Sequence, residues 1–174
     1  KPKLLVSREA GFTQSIDHAH GTFYILANDT HKNFRLATVS DETLAYENWQ
    51  TLSEGSDDVY LLDLKTFDDF IAIKSRELGL EKVHLRNYPD NNADKQVDSS
   101  HEVLFPETVF TASLGTNSEF DQDFVRLNYE SMITPQTVFD YDLKVQKLAS
   151  RKVMKIPSGY EKSHYETERI MVTA

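Results

Sequence analysis

Short apolar runs opened by an aromatic residue recur along the chain, at Phe23-Tyr24-Ile25-Leu26, Phe70-Ile71-Ala72-Ile73 and Phe124-Val125-Arg126-Leu127. Each is followed by a polar turn and a second strand-like segment. The copies lie roughly fifty residues apart, the period of a four-stranded propeller blade. This repeat places strands at residues 14–18, 22–28, 34–39 and 49–52, then at 59–64, 70–74, 82–86 and 102–105. A third set falls at 109–114, 124–129, 137–143 and 147–150. Alternation is clearest in the third set, where Phe139, Tyr141 and Leu143 share one face and Asp140 and Asp142 the other. Leu4-Leu5-Val6-Ser7 is expected to be the outer strand of a preceding blade.

Turn chemistry punctuates these strands. Asn28-Asp29-Thr30, Leu78-Gly79-Leu80 and Met132-Ile133-Thr134-Pro135 join second to third strands, and Pro89-Asp90-Asn91-Asn92 marks a long polar loop. Between Asp57 and Leu78 a helical stripe of Leu61, Leu64, Phe67, Ile71 and Lys74 competes with the strand reading. The flanking repeats, rich in β-branched and aromatic residues, favour strands there. After Ser150 the repeat stops: Ile156-Pro157-Ser158-Gly159-Tyr160 is turn-rich, 161–169 is charged, and 169–174 reads as a strand interrupted.

The expected fold is therefore all-β: about three four-stranded antiparallel blades in an open arc, followed by an exit linker. Residues 1–155 form the partial propeller, as the end of one blade and then blades at about 13–55, 56–106 and 107–152; residues 156–174 form the linker. An open arc leaves an apolar face at each end, so the isolated piece is expected to self-associate. The alternative is a self-contained β-barrel module holding a small ligand.

Composition narrows the function classes. With 174 residues, 39% hydrophobic, ten Phe and eight Tyr, the chain can bury a core. No apolar stretch is long enough to span a bilayer as a helix, so no membrane partner is expected. A formal charge of -9 repels phosphate backbones, which argues against nucleic acid. Cysteine is absent, excluding disulfides and thiolate metal sites; this fits a reducing compartment, and a cytoplasmic location is expected. Lys1-Pro2-Lys3 has no apolar segment behind it that would mark a signal peptide.

Candidate chemistry is sparse. None of Gly11, Gly21, Gly55, Gly79, Gly115 and Gly159 lies in the Gly-x-Ser-x-Gly pattern of a nucleophile elbow. Ser163-His164 are neighbours in sequence, whereas a triad needs spatial convergence. His18 and His20 share a strand face and could share a metal, but with no third ligand a hydrogen-bonded histidine beside Asp17 is expected. Glu119, Asp121 and Asp123 lack calcium-loop spacing and read as a solvated hairpin tip. Asp140 and Asp142 read as an exposed strand face rather than paired glycosidase carboxylates. Trp49 belongs to packing, Ser131, Thr134 and Pro135 to a turn, and Arg126 either pairs with a carboxylate or contacts a further domain. No catalytic, cofactor-binding or metal residue is assigned, and no cofactor is expected.

Several segments resemble the oligopeptidase B branch of the prolyl oligopeptidase family of serine peptidases. These are Asp17-His18, Phe23-Tyr24 and Lys32-Asn33-Phe34-Arg35-Leu36, then residues 127–135 and 138–143, and finally Pro157-Ser158-Gly159-Tyr160 with 165–170. The resemblance implies a seven-bladed propeller capping an α/β-hydrolase domain that carries the Ser, Asp and His. It also implies cleavage of short peptides after Lys or Arg. On that reading this chain is a non-catalytic fragment of the propeller. Its partners would be the remaining blades and the hydrolase domain, with short peptides as the parent's substrates.

Overall fold

The computed structural model describes residues 4–7, 11–88 and 100–173. Twelve strands follow in order: β1 (Gln14–Ala19), β2 (Thr22–Ala27), β3 (Arg35–Ser40), β4 (Gln50–Ser53), β5 (Val59–Thr66), β6 (Phe70–Glu77), β7 (Leu80–Asn87), β8 (Ser100–Glu102), β9 (Thr111–Leu114), β10 (Phe124–Glu130), β11 (Thr137–Asp142) and β12 (Lys147–Val153). They form three separate four-stranded antiparallel sheets, β1 to β4, β5 to β8 and β9 to β12, each a meander. The sheets do not close on one another, which removes the sealed-barrel alternative. No helix among the described residues is long and apolar enough to cross a membrane.

The hairpins follow from local chemistry. His20-Gly21 and Leu78-Gly79 both take positive φ at both turn residues, the mirror-image turn that matches strand twist. The segment with the helical stripe is two strands, β5 and β6, reversing at Phe67–Asp69, where the Phe67 amide bonds the Phe70 carbonyl. The expected Pro89–Asn92 turn lies outside the described residues.

Burial explains why the runs at β2 and β6 are continuous rather than alternating. Tyr24 and Leu26 pack with Leu64, Ile71 and Ile73 between the first and second sheets. Phe70 and Ala72, on the other face of β6, pack with Val83, Leu85, Val125 and Leu127 between the second and third. A strand buried on both faces has no polar side to show. On β2, the opposite face (Ile25, Ala27) packs with Ala37, Val39 and Trp49, flanked by Leu5, Val6 and Phe12.

Four expectations are corrected. Phe23 is not the structural counterpart of Phe70: it sits with Ile25 on the face away from the second sheet, whereas Phe70 faces the third. A one-residue slip reverses the face, so the repeat in the first blade is out of phase. Leu4–Ser7 and residues 169–173 form no strand, because no ladder partner lies alongside them among the described residues. The fourth strand of the second sheet is Ser100–Glu102 rather than 102–105; Val103 and Phe105 instead drop into the core ahead of Pro106, which cannot donate to a ladder. Finally, the ends of the arc are not two bare apolar faces. Leu5, Val6 and Phe12 pack on the first, and the last carries Arg126, Asn128 and Asp140.

Phe67 is fully buried and stacks on Phe70 at 4.5 Å between ring centroids. Phe67→Ala is expected to lower stability by about 3–5 kcal/mol. Ile16→Ala, at a position 42% exposed, should change it by less than about 0.5 kcal/mol, both read by urea unfolding.

Candidate functional site

One edge of each sheet is formed by its first strand, β1, β5 or β9, and β1 packs beside β5 across the blade boundary. An edge strand leaves alternate amides without a ladder partner, and these need satisfying if they are covered. Side chains of the preceding blade do so at both boundaries. Asp17 of β1 accepts the Thr66 amide of β5 at 2.8 Å, the Thr66 hydroxyl donates to the His18 carbonyl at 3.1 Å, and Lys65 lies 3.2 Å from Asp17. Glu81 of β7 accepts the Ala112 amide of β9 at 3.0 Å while holding Lys74 at 2.9 Å. Burial alone would raise the Asp17 carboxyl, but the Thr66 and His18 amides and Lys65 outweigh it and hold the group below the ordinary aspartate value.

The outward face of the third sheet carries an ion cluster. Arg126 and Asp140 sit opposite each other on β10 and β11, paired through two hydrogen bonds of 2.8 and 3.0 Å, and Arg151 adds a third at 2.8 Å. Asp140, expected on an exposed face, is only 3% exposed. Its two guanidinium partners cover it, and Arg126 first, then Arg151, hold its pKa below the ordinary aspartate value despite burial. Arg126 thus pairs with a carboxylate, and Gly115 is needed beside it because a Cβ there would meet the Arg126 side chain at 2.9 Å. Asp142, by contrast, turns the chain, accepting the Lys144 and Val145 amides.

The two rims of the arc differ. One carries the turns at His20-Gly21 and Asp68-Asp69, the loop 115–123 and Asp41. His20 hydrogen-bonds the Asp68 carbonyl at 2.7 Å and packs against Tyr88 and Phe120, while the Asp68 amide bonds the Phe120 carbonyl. Asp41, Asp68, Asp69, Asp121 and Asp123 lie on this rim. The opposite rim carries the β2–β3, β6–β7 and β10–β11 connections and the segment that follows β12. A recess of about 510 Å³ opens there, lined by Glu107, Tyr129, Thr134, Phe139, Tyr160 and Lys162 among others.

The remaining candidates fall into structural positions. The His18 ring turns to Asp41 at 3.4 Å rather than to Asp17, and His20 turns to Asp68, so the two rings do not share a ligand. Asp17 is occupied by the neighbouring blade. Asp123 pairs with Lys144 at 2.8 Å, in the loop expected as a hairpin tip. Trp49 is buried against Tyr46, and Ser131 closes the turn by accepting the Ile133 and Thr134 amides. The Ser163 hydroxyl donates to Glu161 at 2.9 Å, not to His164. Among the described residues no group of three His, Asp or Glu could hold a metal ion. Glu81 and Glu107 were not singled out by sequence. For Glu81 the signal was present: it shares a strand face with Val83 and Leu85, the buried face.

Residues 1–154 match the family model of the prolyl oligopeptidase N-terminal beta-propeller domain. Dipeptidyl aminopeptidase BI of Pseudoxanthomonas mexicana is 28% identical over 172 residues, covering 98% of this chain and 22% of that protein. Protease 2 of Moraxella lacunata is 23% identical over 98% of this chain and 23% of its own length. The chain thus spans under a quarter of these relatives. Among solved structures, oligopeptidase B from Leishmania major superposes with a TM-score of 0.80 at 22% identity, over 94% of this chain and 23% of that one. Oligopeptidase B from Trypanosoma brucei, in a closed form with covalently bound antipain, gives 0.79 at 25% identity over 91% and 23%.

Asp17→Ala strands the Thr66 amide at the blade boundary and is expected to cost about 1–3 kcal/mol near neutral pH. Because the folded-state pKa is depressed, the wild-type advantage is complete above the ordinary aspartate value of about 4 and fades as pH falls through the lowered one. Urea midpoints of both proteins measured across acid pH read this convergence.

Proposed function

Because this chain belongs to the prolyl oligopeptidase family, as a portion of its N-terminal β-propeller domain, we propose that it serves an oligopeptidase B-like serine peptidase that cleaves short peptides after Lys or Arg. Its part is non-catalytic. The observation that carries this reading is the stack of three four-stranded sheets whose match to the family's propeller model runs over residues 1–154. The likeness to oligopeptidase B structures at TM-scores of 0.80 and 0.79 supports the branch. The remaining blades and an α/β-hydrolase domain would complete the working enzyme, with the reactive Ser, Asp and His on the latter.

In that enzyme the propeller admits short peptides and excludes folded proteins by size, and a conformational opening controls entry. Rigid blades suit this role: the carboxylate-to-amide ties at Asp17 and Glu81 resist sliding of one sheet past the next. The acidic rim with Asp41, Asp68, Asp69 and Asp121 supplies a field that draws peptides bearing Lys or Arg. That rim lies opposite the segment following β12, so steering acts on the approach to the propeller from that side. A cytoplasmic setting agrees with a chain free of cysteine.

The test uses the full-length gene product. It should hydrolyse short peptides after Lys or Arg and leave a folded protein of the same sequence content intact; cleavage of the folded protein, or indifference to Lys and Arg, would refute the proposal. The triple variant Asp68→Asn, Asp69→Asn, Asp121→Asn should lower kcat/KM for a dibasic peptide by about three- to tenfold at low salt. The difference should shrink as salt screens the rim.

A further inference from the structure

The segment after β12 does not trail away from the third blade; it turns back across the rim toward the second. Three side chains fix its course. The Tyr160 hydroxyl donates to the Ile133 carbonyl at 2.7 Å, in the β10–β11 connection. The Lys162 ammonium donates to Glu107 Oε1 and Thr134 Oγ1, both at 2.7 Å, bridging the connector between the second and third sheets to the same β10–β11 connection. The Arg169 guanidinium donates to the Leu78 carbonyl at the β6–β7 turn of the second sheet. Anchors on two different blades make this segment a strap across their junction, and it lies beyond the residues that match the propeller model.

The middle anchor differs from the other two. Tyr160 and Arg169 reach backbone carbonyls from exposed positions, and Tyr165, Ile170 and Met171 are exposed, so apolar burial contributes little to holding the strap. Glu107, by contrast, has a side chain only 12% exposed. It also takes the Thr134 hydroxyl, and it lies at the recess beside Tyr129. Tyr129 is 2% exposed and its hydroxyl has no hydrogen-bond partner among the described residues; nor does Glu107 Oε2. Burial first, then the adjacent Glu107 charge, push the Tyr129 hydroxyl up to about 12. A carboxylate sunk this far beside an apolar wall is stabilised by a paired cation, and the strap delivers one. Delivery in cis matters, because a single half-exposed ammonium would bind such a recess weakly from solution, whereas tethering raises its effective concentration.

We propose that Glu107 and Thr134 form a receptor for the Lys162 ammonium, and that this contact latches segment 156–169 across the second and third blades, fixing the direction in which the chain leaves the propeller. The latch holds the short 3-10 turn Lys162–His164, whose register depends on the His164 amide bonding Glu161 and the Tyr165 amide bonding Lys162. Those two amides report its state.

Hydrogen exchange on the whole protein tests the latch. In Lys162→Met, which keeps the stem and removes the charge, the His164 and Tyr165 amides should exchange about tenfold faster, the factor for loss of a charge-assisted bond of about 1.4 kcal/mol. Glu107→Gln should do the same, while amides of β6 and β10 keep their protection. The exchanged pair Glu107→Lys with Lys162→Glu should recover part of the protection, which a purely steric role for either residue would not produce. Unchanged exchange at His164 and Tyr165 in both single variants would overturn the proposal. So would equal loosening of strap and sheets, since Glu107 would then be a folding residue rather than a latch.

Discussion

The structure depends on one constraint: a four-stranded sheet with two apolar faces cannot stand alone in water. β6 carries Ile71 and Ile73 toward the first sheet and Phe70 and Ala72 toward the third, so the second blade is stable only when covered on both sides. Phe67, Val125 and Leu127 are fully buried because two sheets meet over them, not because either sheet folds around them. At about 25 cal/mol for each Å² of apolar surface removed from water, burial of this kind dominates the stability of stacked sheets. Hairpins, loops and ion pairs are arranged around that stacking.

Stacking by apolar contact is non-directional, and polar contacts supply the register. Each blade boundary has a carboxylate from the earlier blade on an amide of the later blade's inner strand, Asp17 on Thr66 and Glu81 on Ala112. These bonds satisfy amides that an edge strand would otherwise leave unpaired, and they penalise sliding along the strand direction. The third sheet shows the complementary arrangement on its outward face. There Arg126, Asp140 and Arg151 replace the apolar layer found at the other boundaries, so that face is suited to polar contact. The strap adds a further link between second and third blades on the rim, through side chains rather than through a strand.

Much of this was legible in the amino-acid order. All twelve strands lie at or near positions expected from the aromatic-led repeat, because period-two burial, turn residues such as Leu78-Gly79, and β-branched runs are local signals. Arg126 pairing with a carboxylate followed from a charge on an otherwise apolar strand. The less legible features involve partners distant in sequence. The burial of Asp140 rests on guanidinium groups from β10 and β12, and the roles of Glu81 and Glu107 rest on Ala112 and Lys162. The phase of the first repeat is not legible in the sequence, because Phe23 and Phe70 look equivalent there yet face opposite sides of their sheets.

What the sequence by itself determined is the kind of unit: tandem antiparallel sheets, apolar on both faces where blades meet, in a chain with no nucleophile motif or metal-ligand spacing. Alternation and turn chemistry act within a few residues, so the order of residues suffices to specify them. What only the tertiary structure decided is which face each side chain presents, which charges are neutralised, and where the chain runs after Val153. Those depend on the meeting of surfaces tens of residues apart, where a buried carboxylate takes whichever amide or ammonium the packing brings within reach.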